Sequence, residues 1–371
     1  MSSSSSSSRS SGPVRISYPT LLADPASLLP SIAQAFGSEE GCLGIILIED
    51  LPPSFSNLRS NLFQFAQRFA TLPEQVRERY ARPDTSYMFG WSHGKEVMNG
   101  RPDTQKGSFY ANPLIDEPEV TSEQRAAHPE YYAGNVWPRD LPEMQEYEHA
   151  FKALGKLIYD VGIALANACA PFVTPSLSQS TSIASLISGS KSNKARLLHY
   201  YPESASSSMD AAEAASERVA NDALCGTHLD HSLLTGLCSA MYLDQPEGSA
   251  QPTIVPPPTT TAGLYIYPRQ GSTAPRPDAL KVSIPSDCLA FQTGEALELL
   301  TAGRLAATPH FVSGNAAAQS SKASTVSRET FAFFLQPDVD DVIGPDGETF
   351  GAFTKRVLGR HYAEAPQEAE D

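Results

Sequence analysis

Thr227-His228-Leu229-Asp230-His231-Ser232-Leu233-Leu234-Thr235 is the stretch from which the rest of the chain is best read. In an extended strand successive side chains alternate between faces, so His228 and Asp230 project together while Leu229 and His231 point away. An imidazole nitrogen and a carboxylate oxygen on one face suggest a metal site, but two ligands do not hold an ion. The third candidate is His310, in Thr308-Pro309-His310-Phe311-Val312. Two histidines and one carboxylate gathered on one side of an ion form a facial set that leaves coordination positions open. In a chain with eight histidines a His-x-Asp arises easily by chance, so the pattern needs support from elsewhere.

Further along, Arg328-Glu329-Thr330-Phe331-Ala332-Phe333-Phe334-Leu335-Gln336-Pro337 reads as an aromatic, apolar strand carrying an arginine and a hydroxyl two residues apart on one face. An arginine aimed into a sheet interior needs an anion, because an unpaired buried charge is costly. A ligand carboxylate would satisfy it. Upstream lie Arg196-Leu197-Leu198-His199-Tyr200-Tyr201-Pro202 and, near the start, the apolar run Gly41-Cys42-Leu43-Gly44-Ile45-Ile46-Leu47-Ile48-Glu49-Asp50.

Taken in order, these motifs resemble the isopenicillin N synthase-like branch of the iron(II)- and 2-oxoglutarate-dependent dioxygenases. That family's pattern is His-x-Asp, a distal His and then Arg-x-Ser; here it reads His228-x-Asp230, His310 and Arg328-x-Thr330. The 196–202 stretch looks like the family's Asn-Tyr-Tyr-Pro strand, with Tyr201 at the position of the tyrosine that touches 2-oxoglutarate and His199 in place of the usual asparagine. The 41–50 run looks like the family's first long strand, so the resemblance spans residues 14 to 355. Two intervals are longer than is usual in the family, between the two histidines and between His310 and Arg328. Both extensions are loop material, one with Pro256-Pro257-Pro258-Thr259-Thr260-Thr261 and the other with Gly314-Asn315-Ala316-Ala317-Ala318-Gln319-Ser320-Ser321-Lys322, and surface loops tolerate insertions at small entropic cost.

The resemblance implies Fe(2+) held by His228, Asp230 and His310. It implies 2-oxoglutarate with its far carboxylate on Arg328, assisted by Thr330 and Tyr201, with His199 beside it. The implied activity is oxidation of a small organic metabolite by O2, as hydroxylation, desaturation or ring closure, with release of succinate and CO2. Two alternatives stay open: an iron oxidase of the same fold that uses no 2-oxoglutarate, and a non-catalytic binding protein on this scaffold.

Residues 1–13 are a serine-rich tail without an apolar segment, which fits neither a secretory signal nor a membrane anchor. Residues 14–180 are expected to form an N-terminal helical and strand region with substrate-covering loops. Helices are expected near Ser27 to Phe36, Ser54 to Phe69 and Pro142 to Ala170, with a strand from Leu43 to Glu49. Between 83 and 137 the chain is irregular, aromatic and glycine-punctuated, as the rim of a substrate pocket would be. Phe89, Trp91, His93 and Tyr110 there, together with Phe334, are the substrate-contact candidates, and His93 is also a conceivable fourth ligand. Thr174 to Ser192 is ambiguous, and 204–218, 245–261 and 314–322 look like insertions. Residues 181–355 carry many short strands between turns, and 356–371 are expected to be an acidic tail. The fold expected is α+β, mainly β: a double-stranded β-helix, or jelly roll, with helices packed on one sheet and a helical N-terminal part.

With 371 residues, 41% of them hydrophobic, the chain can bury a large core. A net charge of −15 and the lack of a basic cluster argue against a nucleic-acid surface. The five cysteines lack paired metal-type spacing, which suits reduced thiols and a cytoplasmic protein. The expected partners are therefore a small-molecule substrate and O2, with no nucleic acid and no membrane.

Overall fold

Ile45, Ile46, Leu47 and Ile48 are all fully buried. A strand buried on both faces needs a packed layer on each side, and that requirement sets the architecture. The computed structural model describes residues 12–98, 101–173, 182–202, 223–270, 277–313, 325–344 and 346–362. Its strands are β1 (Val14–Ser17), β2 (Ile45–Glu49), β3 (Gly90–His93), β4 (Val97–Met98), β5 (Arg101–Pro102), β6 (Lys106–Ala111), β7 (Lys194–Tyr200) and β8 (Ala223–His228). There follow β9 (Leu234–Cys238), β10 (Met241–Asp244), β11 (Thr253–Val255), β12 (Gly263–Ile266), β13 (Leu280–Val282), β14 (Leu289–Thr293), β15 (His310–Ser313) and β16 (Val326–Leu335). The longer helices are α1 (Leu29–Phe36), α2 (Ser54–Ala70), α3 (Tyr147–Cys169), α4 (Ile183–Gly189) and α5 (Phe350–Tyr362).

A large sheet runs β1-β2-β14-β9-β16-β7-β6-β3, with β10 paired to β16 and β11 to β10. A smaller sheet runs β13-β12-β15-β8. From β7 to β9 the chain passes from the large sheet to the small one and back, and β13 to β16 repeat the alternation. Four strands of each sheet thus interleave into one double-layered winding, in which all pairs are antiparallel. The parallel pair is β1 with β2, at the edge.

The two faces of the large sheet differ in chemistry. Its outer face carries Phe291, Phe331, Phe333 and Leu197 into the main apolar core, where α2 and α3 cover them. Phe331 meets Phe151 of α3 edge-on at 5.0 Å, an arrangement that aromatic quadrupoles favour. Helix α3 lies in a stretch, Pro142–Phe172, that is long and apolar enough to cross a membrane by length and composition. Here it packs on α2 and the sheet and buries Phe151, Leu154, Ile158, Val161 and Leu165. The inner face contributes Ile45, Leu47 and Ala290 to a second, smaller core shared with Leu264, Ile266 and Val282 of the small sheet. That inter-sheet space is where a site can be enclosed.

Several sequence expectations are revised. Residues 14–180, expected as a helical and strand region, contribute β1, β2, β3 and β6 to the large sheet as well as α1, α2 and α3. The segment expected to be a loose rim contains β6, whose six residues are all buried. An acidic tail cannot begin at 356, since α5 is continuous from Phe350 to Tyr362. The ambiguous 174–192 stretch contains α4, closed at its start by a reciprocal Ser182 and Ser185 capping box. Of the insertions, 245–261 contributes β11 to the sheet edge, while 204–218 and 314–322 lie outside the described residues.

Candidate metal centre

Strand β8 ends at His228, and β15 begins at His310 directly opposite it in the ladder. The two imidazole rings have their centroids 4.3 Å apart. Asp230 lies just past the end of β8, so the shared face inferred from strict strand alternation is supplied instead by the loop that leaves the strand. Its Oδ1 is 3.8 Å from Nε2 of His228 and 3.8 Å from Nε2 of His310. One ligand atom from each of the three residues lies within 4.8 Å of the others, a group that can hold a metal ion.

Each ring is oriented through its other nitrogen. His228 Nδ1 is 2.7 Å from the Gly226 carbonyl and His310 Nδ1 is 3.2 Å from that of Thr308, so both hold Nε2 toward Asp230. Backbone partners of this kind fix the tautomer a metal-ligating histidine needs. Burial pushes the His310 imidazole below its usual value, with Asp230 opposing and His228 reinforcing the shift. The neutral ring, which is the ligand form, is thereby favoured. Two glycines allow the backbone to close around the group. Gly44 sits at φ +63, and a side chain there would collide with the hydroxyl of Thr308, whose Oγ1 donates to Leu43 O at 2.6 Å and anchors the segment entering His310. A side chain at Gly294 would meet the backbone oxygens of Ser232 and Asp230.

His231 does not join the group, because its Nδ1 is 2.8 Å from Glu295 Oε2. Nor does His93, whose Nε2 lies 3.0 Å from Thr104 O.

Arg328 and Thr330 lie on the inner face of the large sheet. Arg328 is opposite Tyr200, Thr330 opposite Leu198 and Phe334 opposite Lys194 in the antiparallel ladder, and directly opposed residues share a face. The guanidinium Cζ sits 4.8 Å over the Tyr200 ring, and its Nε and Nη1 are buried without a hydrogen-bond partner. Thr330 Oγ1 donates to the Cys238 carbonyl at 3.2 Å.

Alternation along β7 corrects two expectations. Tyr201 falls on the outer side, where its hydroxyl accepts from Arg77 and donates to Ala70 O of α2. Tyr200, not Tyr201, shares a face with Arg328. His199 also faces outward: its Nδ1 is 2.8 Å from Glu329 Oε1, and both side chains are buried. The pair locks β7 to β16 behind the site and places His199 away from any ligand of Arg328.

The substrate candidates divide in the same way. Trp91 stands opposite Phe109 and packs on Phe69 of α2 at 5.3 Å, and His93 points to the same outer side, beside Tyr201. Tyr110 is inward and donates to Glu96 Oε1 at 3.2 Å. Phe334 is inward, and Phe89 is brought there by contact with Lys194, whose Nζ lies 3.0 Å from the ring centroid. The sequence reading missed Lys194, Gln292 and the partly buried ionic cluster of Lys106, Arg196, Glu96 and Asp103 on this face. The available signal was two basic residues alternating at 194 and 196 within an otherwise buried strand.

No protein-family model matches the chain, and no curated protein matches it in sequence. Solved structures do. A 2OG-Fe(II) oxygenase family protein from Caulobacter crescentus aligns with 95% of this chain and 100% of its own, at a TM-score of 0.64 and 18% identity. A full-length Neurospora crassa protein in complex with alpha-KG and 5-formyluracil aligns over 87% of this chain and 84% of its own, at 0.56 and 16%. The Arabidopsis thaliana dioxygenase for auxin oxidation 1, in a 2-oxoglutarate complex, aligns over 91% and 99%, at 0.55 and 13%. With a His-Asp-His group where β8 ends opposite the start of β15, the chain has the fold of the 2OG-Fe(II) oxygenases.

Proposed function

We propose that the protein is a non-heme Fe(II)- and 2-oxoglutarate-dependent dioxygenase that oxidises a small organic molecule with release of succinate and CO2. The observation that carries this reading is Arg328: a guanidinium on the inner face, with Nε and Nη1 buried and unpartnered, in a sheet whose opposite layer bears the His-Asp-His group. A dicarboxylate that reached both would satisfy each.

The residues fit both groups. His228, Asp230 and His310 are the facial donor set suited to iron(II), with both imidazoles held by backbone carbonyls. When bound, iron and 2-oxoglutarate supply the oxidising chemistry for O2 activation. The chain's own work is positional. Arg328 would pair with the far carboxylate of 2-oxoglutarate, Thr330 offers a hydroxyl on the same face, and Tyr200 backs the guanidinium. The apolar walls Ile45, Leu47, Ala290, Leu264 and Ile266 keep water from the enclosed space. Cys42, Cys169, Cys238 and Cys288 are free thiols, which supports a reducing, cytoplasmic setting.

Anaerobic calorimetry of 2-oxoglutarate on the iron-loaded protein, followed by a succinate assay in air, tests the proposal. Saturable 2-oxoglutarate binding and succinate release are expected. Iron binding without 2-oxoglutarate binding would transfer the site to an oxidase that uses Arg328 for a substrate carboxylate.

A further inference from the structure

A row of four residues crosses the inner face of the large sheet: Gln292 of β14, Thr235 of β9, Phe334 of β16 and Lys194 of β7, each the direct register partner of the next. Three features of the row are unexplained by binding iron or 2-oxoglutarate. Lys194 is 1% exposed, and its Nζ has no hydrogen-bond partner. Gln292 is likewise 1% exposed, and neither its Oε1 nor its Nε2 is partnered. Between them lie the rings of Phe334 and, against the Lys194 amine, Phe89. The row adjoins the metal group: Ser232, two residues past Asp230, shares a 2.9 Å hydrogen bond with Thr235, and Gly294, two past Gln292, packs on the Asp230 backbone.

Buried polar groups are hydrogen-bonded almost without exception, and a buried lysine without an acceptor is costly enough to demand a reason. Burial pushes the amine well below the usual lysine value, and Glu130, the one carboxylate whose field raises it, gives it no hydrogen bond. Of the other cations of this face, Lys106 is engaged with Asp103 at 2.6 Å and Arg196 with Glu96 at 2.5 Å, and Arg328 is already assigned to 2-oxoglutarate. By taking up a proton as an anion binds, one available amine among aromatic rings can neutralise one negative charge. That selects a singly charged carboxylate over a phosphate, which would need more donors. Adjacent strands are spaced by about 4.8 Å, so the Lys194 and Gln292 backbones are about 14 Å apart. That span suits an acid with a planar body between its carboxylate and a second polar edge.

We propose that the substrate is a ring-bearing monocarboxylic acid, its carboxylate held by Lys194, its ring lying against Phe89 and Phe334, and a polar edge held by the Gln292 amide. This rests on the dioxygenase reading above, since it names the substrate of that same site.

The test compares the wild-type protein with Lys194→Met, which keeps the side-chain volume and removes the amine. Phenylacetate, 3-phenylpropionate, cinnamate and their methyl esters are titrated calorimetrically, without oxygen, into protein loaded with iron and 2-oxoglutarate and into metal-free protein. At least one acid is expected to bind wild type tenfold or more tightly than its ester, a preference that Lys194→Met abolishes. Iron and 2-oxoglutarate binding should be unchanged in the variant, and the unliganded variant should melt at or above the wild-type temperature. No binding by any acid, a preference that survives Lys194→Met, or a lowered melting temperature in the variant would each overturn the assignment. Failure of wild type to bind 2-oxoglutarate sinks the dioxygenase reading instead, and the acid-to-ester ratio on metal-free protein still reads Lys194.

Discussion

Replacing Arg328 by methionine should separate a residue kept for a ligand from one kept for the fold. A structural arginine loses an ion pair when truncated, and breaking a buried pair costs about 3–5 kcal/mol of stability. Among the described residues Arg328 forms no ion pair, and its Nε and Nη1 are orphaned. What it loses within the protein is the stacking on Tyr200 at 4.8 Å, about 0.5–1 kcal/mol. Relief of the buried, unpaired nitrogens acts in the opposite direction, so the melting temperature of the unliganded variant should be unchanged or slightly raised. The ligand side is different, because 2-oxoglutarate loses a charge-assisted pair worth about 2–5 kcal/mol. Arg328 is part-buried, so solvent screening favours the low end, about 2 kcal/mol or about thirtyfold in Kd. Calorimetry of 2-oxoglutarate into iron-loaded protein under anaerobic conditions, paired with thermal melts, reads both quantities. A Kd within threefold of wild type, or a melting temperature lowered as far as a broken ion pair would lower it, refutes the reasoning.

Alanine at His228, Asp230 or His310 should abolish stoichiometric iron binding, measured by metal analysis after desalting, with the fold retained by circular dichroism. His231→Ala, which removes a partner of Glu295 and no ligand, should keep iron. Tyr200→Ala should weaken 2-oxoglutarate binding several-fold, whereas Tyr201→Phe should leave it unchanged and lower thermal stability through the lost Arg77 and Ala70 contacts; the reverse pattern would restore Tyr201 to the site. Burial alone would raise the Glu96 carboxyl, but Arg196 and Lys106 outweigh it and hold it down from 4.5 to about 2. A depressed carboxyl stabilises the fold above its unfolded value and loses that contribution as pH falls toward the folded one. The stability gap between wild type and Glu96→Gln should therefore be constant above pH 4.5 and shrink between pH 4.5 and 2 in acid melts.

The metal group was legible in the sequence because it needs only three residue types in order, and β8 pairing with β15 brings them together whatever the loops between contain. The strands of the small sheet and the far end of the large one were legible from turns and apolar runs. Strands β3 and β6 were not. Their inward residues Ser92, Lys106 and Ser108 are polar and yet buried, so the period-two signal that marks a half-buried strand is replaced by a pattern that reads as a loop. The same buried polarity hid Lys194, since lysine is almost always placed at the surface.

The choice between Tyr200 and Tyr201 shows where a strand motif ceases to decide. Leu197 and Leu198 of β7 are both buried, one facing the helices and the other the small sheet, so hydrophobicity gives no phase for the strand. A slip of one residue exchanges every side chain between faces. Only the register against a neighbour whose phase is known can fix it, and β16 is that neighbour. Phe331 and Phe333 must enter the helix-covered core, which turns Arg328 and Thr330 inward. Opposite Arg328 stands Tyr200, and opposite Glu329 stands His199. The buried His199–Glu329 contact reinforces that register from the outer side, because slipping β7 by one residue would set the Glu329 carboxylate, fully buried, against Leu198 or Tyr200 instead of an imidazole. The phase that sets Tyr200 beside Arg328 is thus held by a polar pair on the opposite face of the sheet.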